Sequence, residues 1–148
     1  MRRSVILDLG GYDEDFFLWL HEEDLALRIR ASGYSVLFDP ELVIFHHDPP
    51  DKPFRRNYFR YVFRNKARLN LKYFALPLLA VMVPRDLIWI LIEAWRFRSS
   101  AVITNGLKGY LTGYIEDRPA RKKSGLLPGK LQMEYVFTFW TGFYFQAA

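Results

Sequence analysis

The 148-residue chain contains no cysteine. That excludes disulfides and thiolate metal sites, and it fits a reducing compartment. Long hydrophobic runs are absent too. The apolar stretch Leu71–Val83 is interrupted by Pro77, and Leu87–Trp95 contains Glu93. Neither reaches the roughly 18 uninterrupted apolar residues expected of a membrane span. The basic start Met1-Arg2-Arg3 does not lead into an apolar leader, because Asp8, Gly10 and Gly11 break the following segment. That pattern predicts a cytoplasmic start. There is no internal repeat. A helical zinc motif of the His-Glu-x-x-His type is also missing, since Leu25 stands where the second histidine after His21-Glu22 would have to be.

What is present is apolar and unevenly charged. Apolar residues make up 51% and aromatics 18%, too rich for a disordered chain. The length suits one domain with a moderate core. A net charge of +5 suggests an anionic partner, whether nucleotide phosphate, nucleic acid or lipid headgroups. Acid dominates before Asp51 and base after it, and this asymmetry is more informative than the net value.

Local patterns predict the following elements. Residues 1–9 are a short apolar segment broken by Gly10-Gly11. Asp13, Glu14 and Asp15 charge the start of a turn or short helix around Phe16–Leu20. A helix is expected over Glu22–Ser32, with acid at its N-terminus, Arg28 and Arg30 toward its C-terminus, and Gly33 as a left-handed cap. Tyr34–Phe38 and Leu42–Phe45 read as short strands, the second running into His46-His47. Asp48–Pro53 is proline-rich and reads as a rigid loop. A basic helix follows from Arg55 to Lys72. Arg56, Arg60, Arg64, Arg68 and Lys72 recur every four residues and drift only ~40° per step, forming one winding stripe. The segments on either side of Pro84-Arg85-Asp86 read as a helical hairpin or an interfacial pair. Gly106–Gly113 reads as a helix-to-loop transition, Glu116–Gly125 as loose, and Leu126–Ala148 shows no sharp pattern.

Three constellations could carry chemistry. The acidic cluster Glu22, Glu23 and Asp24 can hold a divalent cation or deprotonate a hydroxyl, although spacing alone favours a capped, solvated helix start. His46, His47 and Asp48 end a strand, so at most one histidine faces a given site. The arginine stripe can grip a nucleotide diphosphate, lie on anionic lipid or track nucleic acid, although a basic helix is most often a solvated face. The adjacent apolar segment places lipid above nucleic acid.

The order of these pieces resembles the acceptor-side half of family 2 glycosyltransferases, especially rhamnosyltransferase-like members. The resemblance is carried by Gly10, Gly11, Tyr12, Asp13 and Glu14, then His21–Leu25 with Arg28, then Gly33, Tyr34, Pro40, Glu41, His46 and His47. Downstream, Arg64, Asn65 and Lys72 match the family's Arg-Asn…Lys helix. His21 departs from the pattern, standing where the family has an acid.

The resemblance implies inverting sugar transfer from a nucleotide-diphosphate sugar to a lipid-linked or polysaccharide acceptor. It makes Glu22 the base on the acceptor hydroxyl, Asp24 the acid beside it and Glu23 the fallback. Gly10, Gly11, Tyr12, Asp13 and Arg64 would contact acceptor or donor. His46 would join a divalent cation, Mg or Mn. The implied fold class is α/β, a partial GT-A fold over 1–50 with short strands and helices. Basic and apolar helices over 51–118 would follow on the cytoplasmic membrane surface, then a loose tail over 119–148. An upstream Asp-x-Asp and nucleotide-binding alternation are lacking, so the chain reads as the C-terminal portion of such an enzyme. Alone, it is not expected to bind a nucleotide sugar tightly. The competing readings are a non-catalytic membrane-associated adaptor and, less favoured, a basic nucleic-acid-binding module.

Overall fold

A computed structural model of the chain describes residues 2–37, 39–43, 45, 47, 57–117 and 126–142. These residues form helices and irregular connections: α1 (Arg3–Asp8), α2 (His21–Ala31), α3 (Tyr58–Tyr73), α4 (Leu76–Arg96), α5 (Ser100–Asp117) and α6 (Gly129–Gly142). Among them there is no strand, so the expected α/β class is corrected to an all-helical one. The physical reason lies in the two strand segments themselves. A strand exists only through its ladder to a neighbour. Residues 34–37, 42, 43 and 45 instead run exposed, with Leu37 86% and Phe45 81% accessible. The Asp48–Pro53 loop lies outside the described residues.

Helix α3 is the axis of the fold. Phe59, Val62, Phe63, Ala67, Leu69, Leu71 and Tyr73 are buried, and so are Asn65, Lys66, Arg68 and Asn70. A helix buried on most of its circumference must find partners for its polar side chains. One apolar cluster joins Phe59, Phe63 and Ala67 to Ile90 and Ala94 of α4 and to Val102 and Tyr110 of α5. The other joins Leu69, Leu71, Tyr73 and Phe74 to Phe16, Leu27, Leu79, Met82, Leu127 and Val136. This second cluster brings the N-terminal segment, α2 and α6 onto the C-terminal half of α3.

Two expectations for the apolar region are overturned. Helix α4 runs without interruption through Pro84, where two separate helices, as a hairpin or an interfacial pair, were expected. An internal proline costs about 3 kcal/mol. Packing of Met82 and Ile90 and a buried polar cluster stand against that cost. In this cluster Asp86 accepts from Asn70 at 2.5 Å, from Tyr110 at 3.2 Å and from Arg85 at 2.9 Å. The tripeptide expected to divide two helices is therefore a buried tie between α3, α4 and α5.

The glycines of Gly106–Gly113 lie inside α5, not at its end. Their reason is close approach. A Cβ at Gly109 would stand 2.1 Å from the Arg60 carbonyl oxygen, and one at Gly113 would stand 2.2 Å from that of Arg64. Four residues apart, they share one helix face and let the α5 backbone lie against that of α3. In the C-terminal stretch, α6 docks through Leu127, whose amide donates to the Tyr73 carbonyl at 3.1 Å, and through Gln132, which accepts from the Ala75 amide at 2.9 Å.

Candidate functional site

The acidic segment is folded onto α3 by the same residues that made the basic stripe. Asn65, fully buried, donates from its amide nitrogen to the carbonyls of Leu18 (2.7 Å) and Trp19 (2.9 Å). Those carbonyls belong to a run of three left-handed residues, Leu18 (φ 59°), Trp19 (φ 74°) and Leu20 (φ 61°). Each such non-glycine residue costs about 1–2 kcal/mol, so the turn persists only because its surroundings hold it. Besides Asn65, the Trp19 ring packs edge-on to Tyr58 and the Phe17 ring to Tyr61. Phe16–Leu20 is thus a strained turn, where the sequence suggested a turn or short helix.

One and two turns along α3, Arg68 meets the Asp15 carboxylate at 3.1 Å and Lys72 reaches two more acids. The Lys72 ammonium lies 2.7 Å from Asp13 Oδ2 and 2.7 Å from Asp24 Oδ1. Arg64 donates to the Asp15 carbonyl at 3.2 Å and to Glu116 of α5 at 2.8 Å. Arg64, Arg68 and Lys72 therefore face carboxylates of their own chain.

Asp24 is fully buried. Besides Lys72 it accepts from Tyr73 Oη at 2.5 Å and from Arg28 Nε at 2.9 Å. Arg28 continues to the carbonyls of Leu9 and Gly11, each at 2.7 Å. The chain from Lys72 through Asp24 to Arg28 thereby locks the Gly10-Gly11 turn, where both glycines are left-handed. Burial, and then the hydrogen bond to Asp24, push the Tyr73 phenol well above its ordinary pKa, so it stays a donor. Burial alone would raise Asp13, but the Lys72 hydrogen bond and charge prevail and lower it.

The three acids of the α2 start have different fates. Asp24 is enclosed. Glu23 accepts from Tyr135 of α6 at 2.9 Å, and Tyr135 in turn accepts from the buried Lys66 at 2.7 Å. Desolvation lowers the Lys66 pKa, opposed by the Glu23 charge. Glu22 projects into solvent with its side chain 67% exposed, touching His21 Nε2 at 2.9 Å. The His21 ring meets Tyr12 edge-on at 5.2 Å. The α2 start carries no side-chain cap, so its amide donors stand beside Glu22.

Of the residues singled out from sequence, the structure thus brings together Gly11, Asp13, Asp24 and Arg28, with Tyr12 and Glu22 at the rim. His46 lies outside the described residues, and His47 is exposed. No group of three His, Asp or Glu side chains among the described residues is arranged to hold a metal ion. Asp13 and Asp24, the natural pair, converge on the Lys72 ammonium instead. Sequence reasoning missed Tyr73, Lys66 and Tyr135. None has a local signal, because their partners lie 49, 43 and 112 positions away.

Over 47 residues, 32% of the chain, the sequence is similar to glycosyltransferases. The relatives are the N-acetylglucosaminyl-diphospho-decaprenol L-rhamnosyltransferases of two Mycobacterium tuberculosis strains, CDC 1551 / Oshkosh and ATCC 25618 / H37Rv, each 32% identical over that stretch. The matched stretch spans 15% of each relative's length. No family model matches the chain, and no solved structure matches it.

Proposed function

We propose that this chain supplies the acceptor side of an inverting glycosyltransferase. Such an enzyme moves a sugar from a nucleotide-diphosphate sugar to a lipid-linked, diphosphate-bearing glycan. Glu22 is the base. The observation that carries this reading is the division among the α2 acids: Asp24 and Glu23 are held by partners, while Glu22 projects from the helix start. A carboxylate suits this step because it need accept the hydroxyl proton only as the new C–O bond forms. The nucleotide diphosphate leaves from the opposite face of the sugar.

Asp24 is then a positioning residue. By binding Lys72, Tyr73 and Arg28 together it fixes the angle at which α2 presents Glu22. Glu23 is held similarly through Tyr135. The divalent cation implied by the resemblance would neutralise the leaving diphosphate, with His46 among its ligands, and the described residues do not supply a ligand set of their own. On this reading donor binding falls to a separate nucleotide-binding part.

The test is a graft. Residues 10–73 replace the acceptor-side segment of the mycobacterial rhamnosyltransferase, and rhamnosyl transfer is measured. The graft should retain transfer, and Glu22→Gln within it should lower kcat at least ~100-fold, the range for a lost general base. Equal rates for the graft and its Glu22→Gln form would remove Glu22 from the role. A soluble, helical but inactive graft would favour the non-catalytic adaptor.

A further inference from the structure

Helix α4 has two apolar faces, and only one of them is used inside the fold. Leu79, Met82, Ile90 and Ala94 are buried against the cores described above. On the opposite side Val81, Pro84, Leu87, Ile88, Leu91 and Trp95 are exposed, with Trp95 82% accessible. At 100° per residue these six occupy a band about 120° wide. The charged side chains of α4 avoid this band. Arg85 and Asp86 are buried, and Glu93 turns to the Trp89 indole at 3.1 Å. Base appears only where the band ends, at Arg96 and Arg98, both exposed and flanking Phe97.

The pattern discriminates between occupants. A partner helix, including a second copy, would be expected to meet a narrower seam flanked by charged residues that set register. Exposed charge of that kind does not accompany the band between Val81 and Leu91. A lipid interface asks instead for a wide uncharged face, an aromatic side chain at headgroup depth and arginines facing anionic headgroups. Trp95, Arg96, Phe97 and Arg98 supply that end. No helix among the described residues is long and apolar enough to cross a membrane, which fits a helix lying on the surface.

We propose that the Val81–Trp95 face of α4 is a docking surface for an anionic lipid bilayer, seated in the headgroup boundary with Arg96 and Arg98 on the lipid phosphates. This inference stands apart from the sugar-transfer reading, since it uses none of the α2 residues.

The experiment is vesicle co-sedimentation of the full chain, with phosphatidylcholine vesicles compared to ones containing phosphatidylglycerol. Ile88→Glu with Leu91→Glu should lower partitioning at least ~tenfold on both vesicle types, because two charges enter the buried band. Arg96→Gln with Arg98→Gln should lower it roughly 30-fold on anionic vesicles only. Circular dichroism of both variants should match the parent. A second readout leaves the band's shape nearly intact: brominated lipid should quench tryptophan emission of the parent more than that of Trp95→Phe. Unchanged partitioning of the Ile88→Glu, Leu91→Glu variant would overturn the proposal. So would equal quenching with and without Trp95, or a parent dimer that this variant dissociates without any change in vesicle binding.

Discussion

Replacing Asp24 by asparagine keeps the shape of the side chain and removes its charge. The carboxylate accepts three hydrogen bonds, from Lys72 (2.7 Å), Tyr73 (2.5 Å) and Arg28 Nε (2.9 Å), has Arg28 Nη2 in ion-pair contact at 2.8 Å, and is fully buried. An amide there must turn its NH2 toward at least one of these donors. Breaking a buried ion pair by removing one partner costs about 3–5 kcal/mol. The lower end applies here, since Lys72 keeps Asp13 and Arg28 keeps the Leu9 and Gly11 carbonyls. We expect about 3 kcal/mol, which at a urea m-value of about 2 kcal/mol/M moves the unfolding midpoint down by about 1.5 M. Urea titration followed by far-UV circular dichroism reads this directly. Glu22→Gln is the control, expected within about 0.5 kcal/mol of the parent because its side chain is mostly solvated. A loss under 1 kcal/mol for Asp24→Asn would refute the reasoning that this carboxylate organises the α2 start.

Two further perturbations probe the scaffold. Gly113→Ala places a Cβ 2.2 Å from the Arg64 carbonyl oxygen; α3 and α5 must separate, at about 2–3 kcal/mol by thermal unfolding. Gly129→Ala, which meets nothing within 4 Å, should be neutral or stabilising by under about 1 kcal/mol. For pH, Asp13 is lowered in the folded state from its ordinary 3.8. Its contribution is complete above that value and is lost as pH falls through 3.8 and below, because the unfolded chain takes up the proton first. Urea midpoints measured down this range should fall, and Asp13→Asn should flatten that limb.

What could be read from sequence was what depends on neighbours along the chain. Helix α2 and its Gly33 cap followed from acid at one end, base at the other and a glycine after. Gly33 is left-handed at φ 86°, and the Tyr34 amide closes on the Ile29 carbonyl at 3.2 Å. Helix α3 followed from the four-residue recurrence of its cations. What those cations face did not follow. The stripe and the acidic cluster read as separate features, each a solvated face or a grip for an outside ligand, yet Arg68 and Lys72 neutralise Asp15, Asp13 and Asp24 across 48 to 59 positions. Pro84 and the α5 glycines misled for the same reason. Their local meaning is a break, and it is overridden by packing against α3, which no local pattern encodes.

Folding withdraws Asp24 from solvent, ties the partly exposed Asp13 to Lys72 and leaves Glu22 outside. Carbodiimide coupling of glycine ethyl ester to the native chain at neutral pH, read by peptide mass spectrometry, measures this residue by residue. Glu22 should label rapidly while Asp24 stays protected until urea unfolds the chain. Labelling of Asp24 at the rate of Glu22 in the folded protein would contradict the account.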